Sequence, residues 1–345
     1  MARIHPLLLD IDSAEFRLLN DWQRGFPLVS RPFAAIGERV GLSEQAVIDC
    51  YLEWVTAGVV SRVGAVFAPR RLGAGALVAL AVPPARLGEV AARVSAEPGV
   101  NHNYEREHAF NLWFVASASN DEALRQMVSS IELDTGCHAI FLPMEEEFHI
   151  DLGFDLSGRG TTTRAECESL KSASTEMACA LPDMERRLFA ALQRGLPIMA
   201  EPWAGVGQRV GLNESMVIEI VSRALEDGLI RRFGAVVRHH ELGIKANAMC
   251  VWDVPDELAG ALGRQLARNP GVTLCYRRTR SLPHWPYNLF CMIHGSVRET
   301  VLAQRDEIAR TLGLDQWPHA VLFSGRRFKQ GGAHYLPLGP ETGHG

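Results

Sequence analysis

The sequence predicts an α+β protein: two tandem copies of a winged helix-turn-helix, each followed by a ferredoxin-like βαββαβ domain. Three observations carry that prediction: an internal repeat, helix punctuation at the front of each copy, and alternating strand and helix patterns behind it. In the repeat, Gln23-Arg24-Gly25, Pro27, Pro32, Gly37, Arg39-Val40-Gly41-Leu42, Val47-Ile48, Gly58, Arg62 and Gly64-Ala65-Val66 recur at a constant offset of 170 residues, from Gln193 to Val236. Past that point small insertions enter. Pro98-Gly99-Val100 answers Pro270-Gly271-Val272, and Asn111-Leu112 answers Asn288-Leu289.

Taken in order, Ala14 to Gln23 has the apolar spacing of a helix, and Phe33 to Val40 forms a short helix behind Pro32. Gly41 makes the turn. Ser43 then caps a helix to about Thr56, and Gly58-Val59-Val60 leads into a strand, as in a winged helix-turn-helix. Gly211, Asn213 and Gly228 repeat the pattern in the second copy. The remainder of the first half reads as strand Ala74 to Val82, helix Pro84 to Ala96 and strand Val100 to Glu107. Strand Phe110 to Ala118, helix Asp121 to Leu133 and strand His138 to Leu142 complete it. That order predicts an antiparallel sheet with two helices on one face and a second face still to be covered. Two copies packed as an intramolecular pseudo-dimer would cover it, leaving further homo-oligomerisation open. The expected boundaries are 12–66 and 182–236 for the helix-turn-helix domains, 67–155 and 237–335 for the sheet domains, and 156–181 for the linker. The linker includes a Gly/Ser/Thr-rich stretch from Ser157 to Ser174.

Composition narrows the function. With 47% hydrophobic residues the 345-residue chain has ordinary globular content, and its net charge of −5 supplies no broad positive field for nucleic acid. The start of the sequence lacks the pattern of a signal peptide, and the longest apolar run, around Ala74 to Pro84, is roughly half of the ~20 residues a membrane helix needs. Seven scattered cysteines, none in a CxxC pair, argue against a disulfide framework and a thiolate zinc site. A cytoplasmic protein without membrane attachment is expected.

The chemistry-bearing residues cluster in the sheet domains. In His102-Asn103-Tyr104-Glu105-Arg106-Glu107-His108, period-two alternation places His102, Tyr104, Arg106 and His108 on one face. Trp113 returns on the next strand as an aromatic wall. The second half offers Cys275-Tyr276-Arg277-Arg278-Thr279-Arg280, an extended turn with His284 and Trp285, and the return Tyr287-Asn288-Leu289-Phe290. Three arginines within four residues form an anion site, and aromatic rings beside them suit a large, flat polyanion such as a carboxylate-bearing tetrapyrrole. The plainer reading is a half-exposed sheet whose polar face meets water, with His284 a turn residue. His149, read as following the last strand, is a weaker candidate for the same pocket. Lys329 adds positive charge at the corresponding place, His239-His240 makes a poor metal site, and His294 reads as a buried, hydrogen-bonded residue.

Helix-turn-helix plus βαββαβ resembles the Lrp/AsnC regulators over nearly all of each half. The expected recognition helix, however, carries Glu44, Asp49 and Glu53 without Lys or Arg, and its counterpart has Glu214, Glu219, Glu226 and Asp227 against a lone Arg223. Acidic helices repel phosphate, which argues against DNA. Arg24, Arg31 and Arg39 keep a regulator as the alternative reading, beside a non-catalytic heme sensor.

The strings HNYEREHAFNLWF and CYRRTRSLPHWPYNLFCMIHG resemble the two kinds of subunit of siroheme decarboxylase, here joined head to tail. That resemblance implies a decarboxylase removing carbon dioxide from two acetate side chains of siroheme, toward heme d1 or, by the alternative route, heme. It places His102 and His108 as proton donors or as groups polarising the macrocycle, and leaves open that one of them ligates the iron. Arg106, Arg277, Arg278 and Arg280 would hold carboxylates, and Tyr104, Trp113, Tyr276 and Trp285 would line the ring. No cofactor is expected, because the iron belongs to the substrate. His108 has no exact counterpart in the second half, so the first-half pocket is the one expected to turn over.

Overall fold

The structure, a computed structural model, describes residues 10–68, 70–150, 181–237 and 246–336. The chain resolves into two compact units that do not follow the halves of the sequence. One unit holds both helix-turn-helix segments, the other both sheet segments.

In the helix-turn-helix unit the first half contributes α1 (Ala14–Asn20), α2 (Pro32–Val40), α3 (Glu44–Thr56) and β1 (Val60–Phe67); the second contributes α6 (Asp183–Arg194), α7 (Pro202–Val210), α8 (Glu214–Glu226) and β6 (Ile230–Val237). Local signals fix these elements. Pro32 and Pro202 sit in the first turns of α2 and α7, where a missing N–H costs nothing, and Gly41 and Gly211 close both helices in the left-handed conformation. Ser43 and Asn213 cap α3 and α8 through side-chain oxygens that accept from Ala46 and Met216 N–H. Each wing strand pairs with that of the other half: β1 runs antiparallel to β6 with Gly64 opposite Gly234, the repeat-related pair. The near-symmetry extends to the loops, where Phe26 N–H donates to Phe233 O and Leu196 N–H to Val63 O. The backbones approach closely here, since a Cβ on Gly234 would lie 2.3 Å from Trp22 O.

In the sheet unit the first half supplies β2 (Ala74–Leu80), α4 (Leu87–Ala96), β3 (Val100–Arg106), β4 (Leu112–Ala118), α5 (Asp121–Thr135) and β5 (Ala139–Ile150). The second supplies β7 (Ala246–Trp252), α9 (Asp256–Leu266), β8 (Val272–Arg278), β9 (Leu289–Gly295), α10 (Arg298–Leu312) and β10 (His319–Gln330). The βαββαβ pattern is present twice, and the two sheets join into one closed eight-stranded barrel, β10-β3-β4-β2-β5-β8-β9-β7. The joints are β5 with β8 and β10 with β3, all antiparallel. One face of each sheet packs on its own helices: Val78, Leu80, Val100, Leu112 and Phe114 against α4 and α5, and Ala248, Cys250, Cys291 and Ile293 against α9 and α10. The other faces meet inside the barrel, where Leu77, Ala79, Trp113, Ile140 and Leu142 pack with Met249, Val251, Tyr276, Phe290 and Leu322.

Three expectations are corrected by this topology. The last strand of the first half does not end at Leu142 but runs to Ile150, because residues from Met144 onward find their ladder partners on β8 of the other half. His149 therefore lies within β5, opposite Cys275, rather than after it. His108 lies past the end of β3, in the turn before β4. The 157–174 stretch and His239-His240 lie outside the described residues. No helix among the described residues is long and apolar enough to cross a membrane.

Candidate active site

Strand alternation settles which predicted residues share a surface. On β3, Asn103 stands opposite Phe114 and points to the helices, where its amide donates to Ala91 O and Ser95 Oγ. Its neighbours His102 and Tyr104 stand opposite Val115 and Trp113, on the barrel's inner face, with their rings stacked at 6.2 Å. Arg106 continues that row. On β8 the matching inner positions are Leu274, Tyr276 and Arg278, so the two halves present the same Tyr-x-Arg pair, but the imidazole of the first half is replaced by leucine.

The two inner arginines are the central electrostatic feature. Each is 8% exposed, and each sends one N–H across the joint to a carbonyl of the other half: Arg106 Nη1 to Leu322 O at 3.1 Å, Arg278 Nη1 to Leu142 O at 2.8 Å. Arg278 lies over the Tyr276 ring, 4.5 Å from its centroid. Neither arginine has a carboxylate partner among the described residues, and the Nε–H of each is buried without an acceptor there. Burial pushes both guanidiniums below their ordinary value, with Tyr276 acting against that shift in each case. A buried cation without an ionic partner costs several kcal/mol, which makes this pair a candidate anion site.

The other two arginines do not join them. Arg277, next along β8, points to the opposite face, where Glu145 and Asp256 pair with it. Arg280 is held by Asp253, Asp256 and the Val254 carbonyl. Its hydrogen bond keeps the Asp256 carboxyl below the usual range. The three-arginine cluster expected from sequence is thus one inner arginine and two neutralised outer ones.

The turns at the strand ends carry the remaining residues. Asn111 accepts from Val82 N–H and donates to Val82 O, and Asn288 does the same with Val254. Arg106 N–H donates to Asn111 O, which fixes the start of the turn. Within it His108 is half-buried; its Nδ1 accepts from Phe110 N–H at 3.0 Å, leaving Nε2 to carry the proton of the neutral ring. Burial lowers the His108 pKa. The longer turn of the second half is closed by hydrogen bonds between Ser281 and Trp285, and it delivers Trp285 fully buried into the interior. There its indole meets Trp113 at 4.9 Å, Tyr287 at 4.9 Å and His108 edge-on at 5.3 Å. His284 is instead exposed, its ring against His138 at 5.6 Å, which removes it from the inner surface. Lys329 caps the end of α4 through Ser95 O and Glu97 O, and His294 bonds Thr273 Oγ1. Phe110 and Tyr287, expected to begin the return strands and not proposed for the site, lie in the turns before β4 and β9 and also line the interior. The repeated Asn-Leu pair was the available signal for the turn clamps.

Comparison with known proteins places this geometry in context. The AsnC-like ligand binding domain matches residues 71–149 and 241–329, and the siroheme decarboxylase NirDL-like HTH domain matches 15–60 and 185–231. The chain is 40% identical over 326 residues to the siroheme decarboxylase NirDL subunit of Paracoccus denitrificans, covering 94% of this chain and 98% of that protein. A half-length relative, the siroheme decarboxylase NirD subunit of Stutzerimonas stutzeri, is 47% identical over 148 residues, 43% of this chain and 97% of that one. Among solved structures, siroheme decarboxylase NirDL in co-complex with an iron-uroporphyrin III analogue superposes with a TM-score of 0.65 at 29% identity, covering 93% of both chains.

Proposed function

The chain belongs to the siroheme decarboxylase family, and from that membership we propose that it removes carbon dioxide from two acetate side chains of siroheme, giving didecarboxysiroheme, with the barrel interior as its site. The observation that carries the placement is the pair of buried guanidiniums, Arg106 and Arg278, without carboxylate partners among the described residues and beside the rings of Tyr104, Trp113 and Tyr276. A flat macrocycle edged with carboxylates supplies the missing negative charge and a π-face for the rings. The product would feed heme d1 or heme formation.

Decarboxylation breaks the bond between the acetate methylene and its carboxylate. The electron pair stays on the methylene carbon, delocalised into the conjugated macrocycle, and carbon dioxide leaves. A proton must then reach that carbon to make a methyl group, and no nucleophile is required. His108 is the donor in this reading. Its Nδ1 is occupied by Phe110 N–H, so Nε2 is the nitrogen that delivers the proton. Burial disfavours the charged ring in the empty site; as the arriving carboxylates favour it, Nδ1 takes a proton and releases Phe110 N–H, and the imidazolium then gives its Nε2 proton to the carbon, leaving a neutral ring protonated at Nδ1. His102, on the inner row, is the second donor. The iron enters with the substrate, and no further cofactor is part of the proposal. Anaerobic incubation with siroheme followed by mass spectrometry tests it: the pigment should lose the mass of two carbon dioxide molecules. An unchanged pigment with a shifted Soret band would mean a sensor.

A further inference from the structure

We propose that Trp285, delivered by the longer turn of the second half, is a positioning residue for the first-half His108 rather than a wall of the substrate site. The inference rests on the reading of His108 as proton donor.

Three observations carry it. The His108 ring is caught between two aromatics from different halves: Phe110 stacks on it at 6.2 Å and 14°, and Trp285 meets it at 5.3 Å and 76°. With Phe110 N–H on Nδ1, one hydrogen bond and two ring contacts define the imidazole plane, so Nε2 has a single direction. Second, Trp285 is itself immobilised. It is fully buried, wedged by Trp113, Tyr287 and Phe290, and its backbone exchanges hydrogen bonds with Ser281, N–H to O at 2.8 Å and O from N–H at 2.9 Å. Third, the second half grips the same turn from outside: Arg298 pairs with Glu107 through both carboxylate oxygens, at 2.7 and 2.6 Å, and Glu107 N–H donates to Phe323 O. The acid of one half is therefore aimed by the other. The short first-half turn offers no matching indole, and the second half places Leu274 where His102 stands.

On the elements around the imidazole, Glu107 and Arg298 pair with each other, Arg106 and Arg278 are held at Leu322 O and Leu142 O, Arg280 is neutralised by Asp253 and Asp256, and His284 on the turn of Trp285 is exposed against His138. The aromatic enclosure is left as the main influence on the ring's titration, and burial lowers it.

The test uses full-length Trp285→Ala and Trp285→Phe proteins, assayed anaerobically with siroheme, with His108 followed by 15N NMR of histidine-labelled protein without substrate. Trp285→Ala should lower kcat by about 30-fold or more with KM within about threefold. It should also move the His108 titration and the alkaline limb of kcat/KM to higher pH as water reaches the ring. Trp285→Phe keeps an aromatic edge while losing the indole N–H and part of the ring volume, so it should hold kcat well above that of Trp285→Ala and remains informative should the alanine variant fold poorly. Raised KM with unchanged kcat and an unmoved His108 titration in either variant would make the indole a substrate contact and overturn the proposal. Full turnover by His108→Ala would overturn the donor reading instead, while the NMR titration would still report whether Trp285 sets the ring.

Discussion

At the scale of single residues, the sharpest consequence concerns His108. Removing a positioned proton donor costs about 10²- to 10⁴-fold in rate, so His108→Ala should abolish measurable turnover while the Soret shift on siroheme binding persists. Turnover near the parent level would exclude it. The sign of the pH dependence follows from the donor role. The imidazolium is lost as pH rises, and burial makes that loss begin below the ordinary histidine value in the empty enzyme. Bound carboxylates reverse the shift, so the alkaline limb of kcat/KM should lie at lower pH than that of kcat, which paired rate profiles would show. Arg278→Ala removes a charged hydrogen-bond donor worth about 1.5–3 kcal/mol, or roughly tenfold to a hundredfold in siroheme Kd. Unchanged affinity by spectroscopic titration would count against the carboxylate clamp. The inner row was legible because period two is all that is needed to group His102, Tyr104 and Arg106. Proximity along the chain misled for Arg277 and Arg280: adjacent strand residues face opposite ways, and the carboxylates that claim them lie on β5, on α9 and in the β7–α9 connection. Trp285 and His284 diverge for a similar reason, since a turn directs successive side chains to different places.

At the scale of elements, caps, prolines and turn glycines made the helices readable, because each acts within a few residues. Strand ends were less so. β5 and β10 are each 12 residues long, and their outer portions exist as strands only through partners in the other half. Local sequence contains no trace of that pairing. The Asn111 clamp shows how the element frame sets the site: its amide ties Val82, at the end of β2, to the turn that carries His108. Asn111→Ala leaves a part-buried N–H and carbonyl without their partner, a loss of about 1–3 kcal/mol. Thermal unfolding should reveal that loss, together with a fall in kcat larger than any change in siroheme affinity. A variant as stable and active as the parent would show that the turn holds itself.

At the scale of the whole molecule, what joins the halves is backbone hydrogen bonding across antiparallel strands rather than the covalent link. β1 pairs with β6, β5 with β8 and β3 with β10, so every sheet in the described residues contains strands of both halves. A separated half would expose two barrel edges, the apolar inner face bearing Trp113 or Phe290, and a buried arginine deprived of its cross-half carbonyl. Unpaired edges and a bared apolar sheet face favour reassociation. The match of a half-length subunit to 43% of this chain fits the same physics. A protease site inserted between residues 156 and 181 and cut after folding should therefore leave two fragments that elute together in gel filtration and retain siroheme turnover within about twofold. Fragments that separate at micromolar concentration, or a lone first fragment that stays monomeric and active, would mean that the joints at β5–β8 and β3–β10 are not what holds the His108 imidazole and the two buried guanidiniums together.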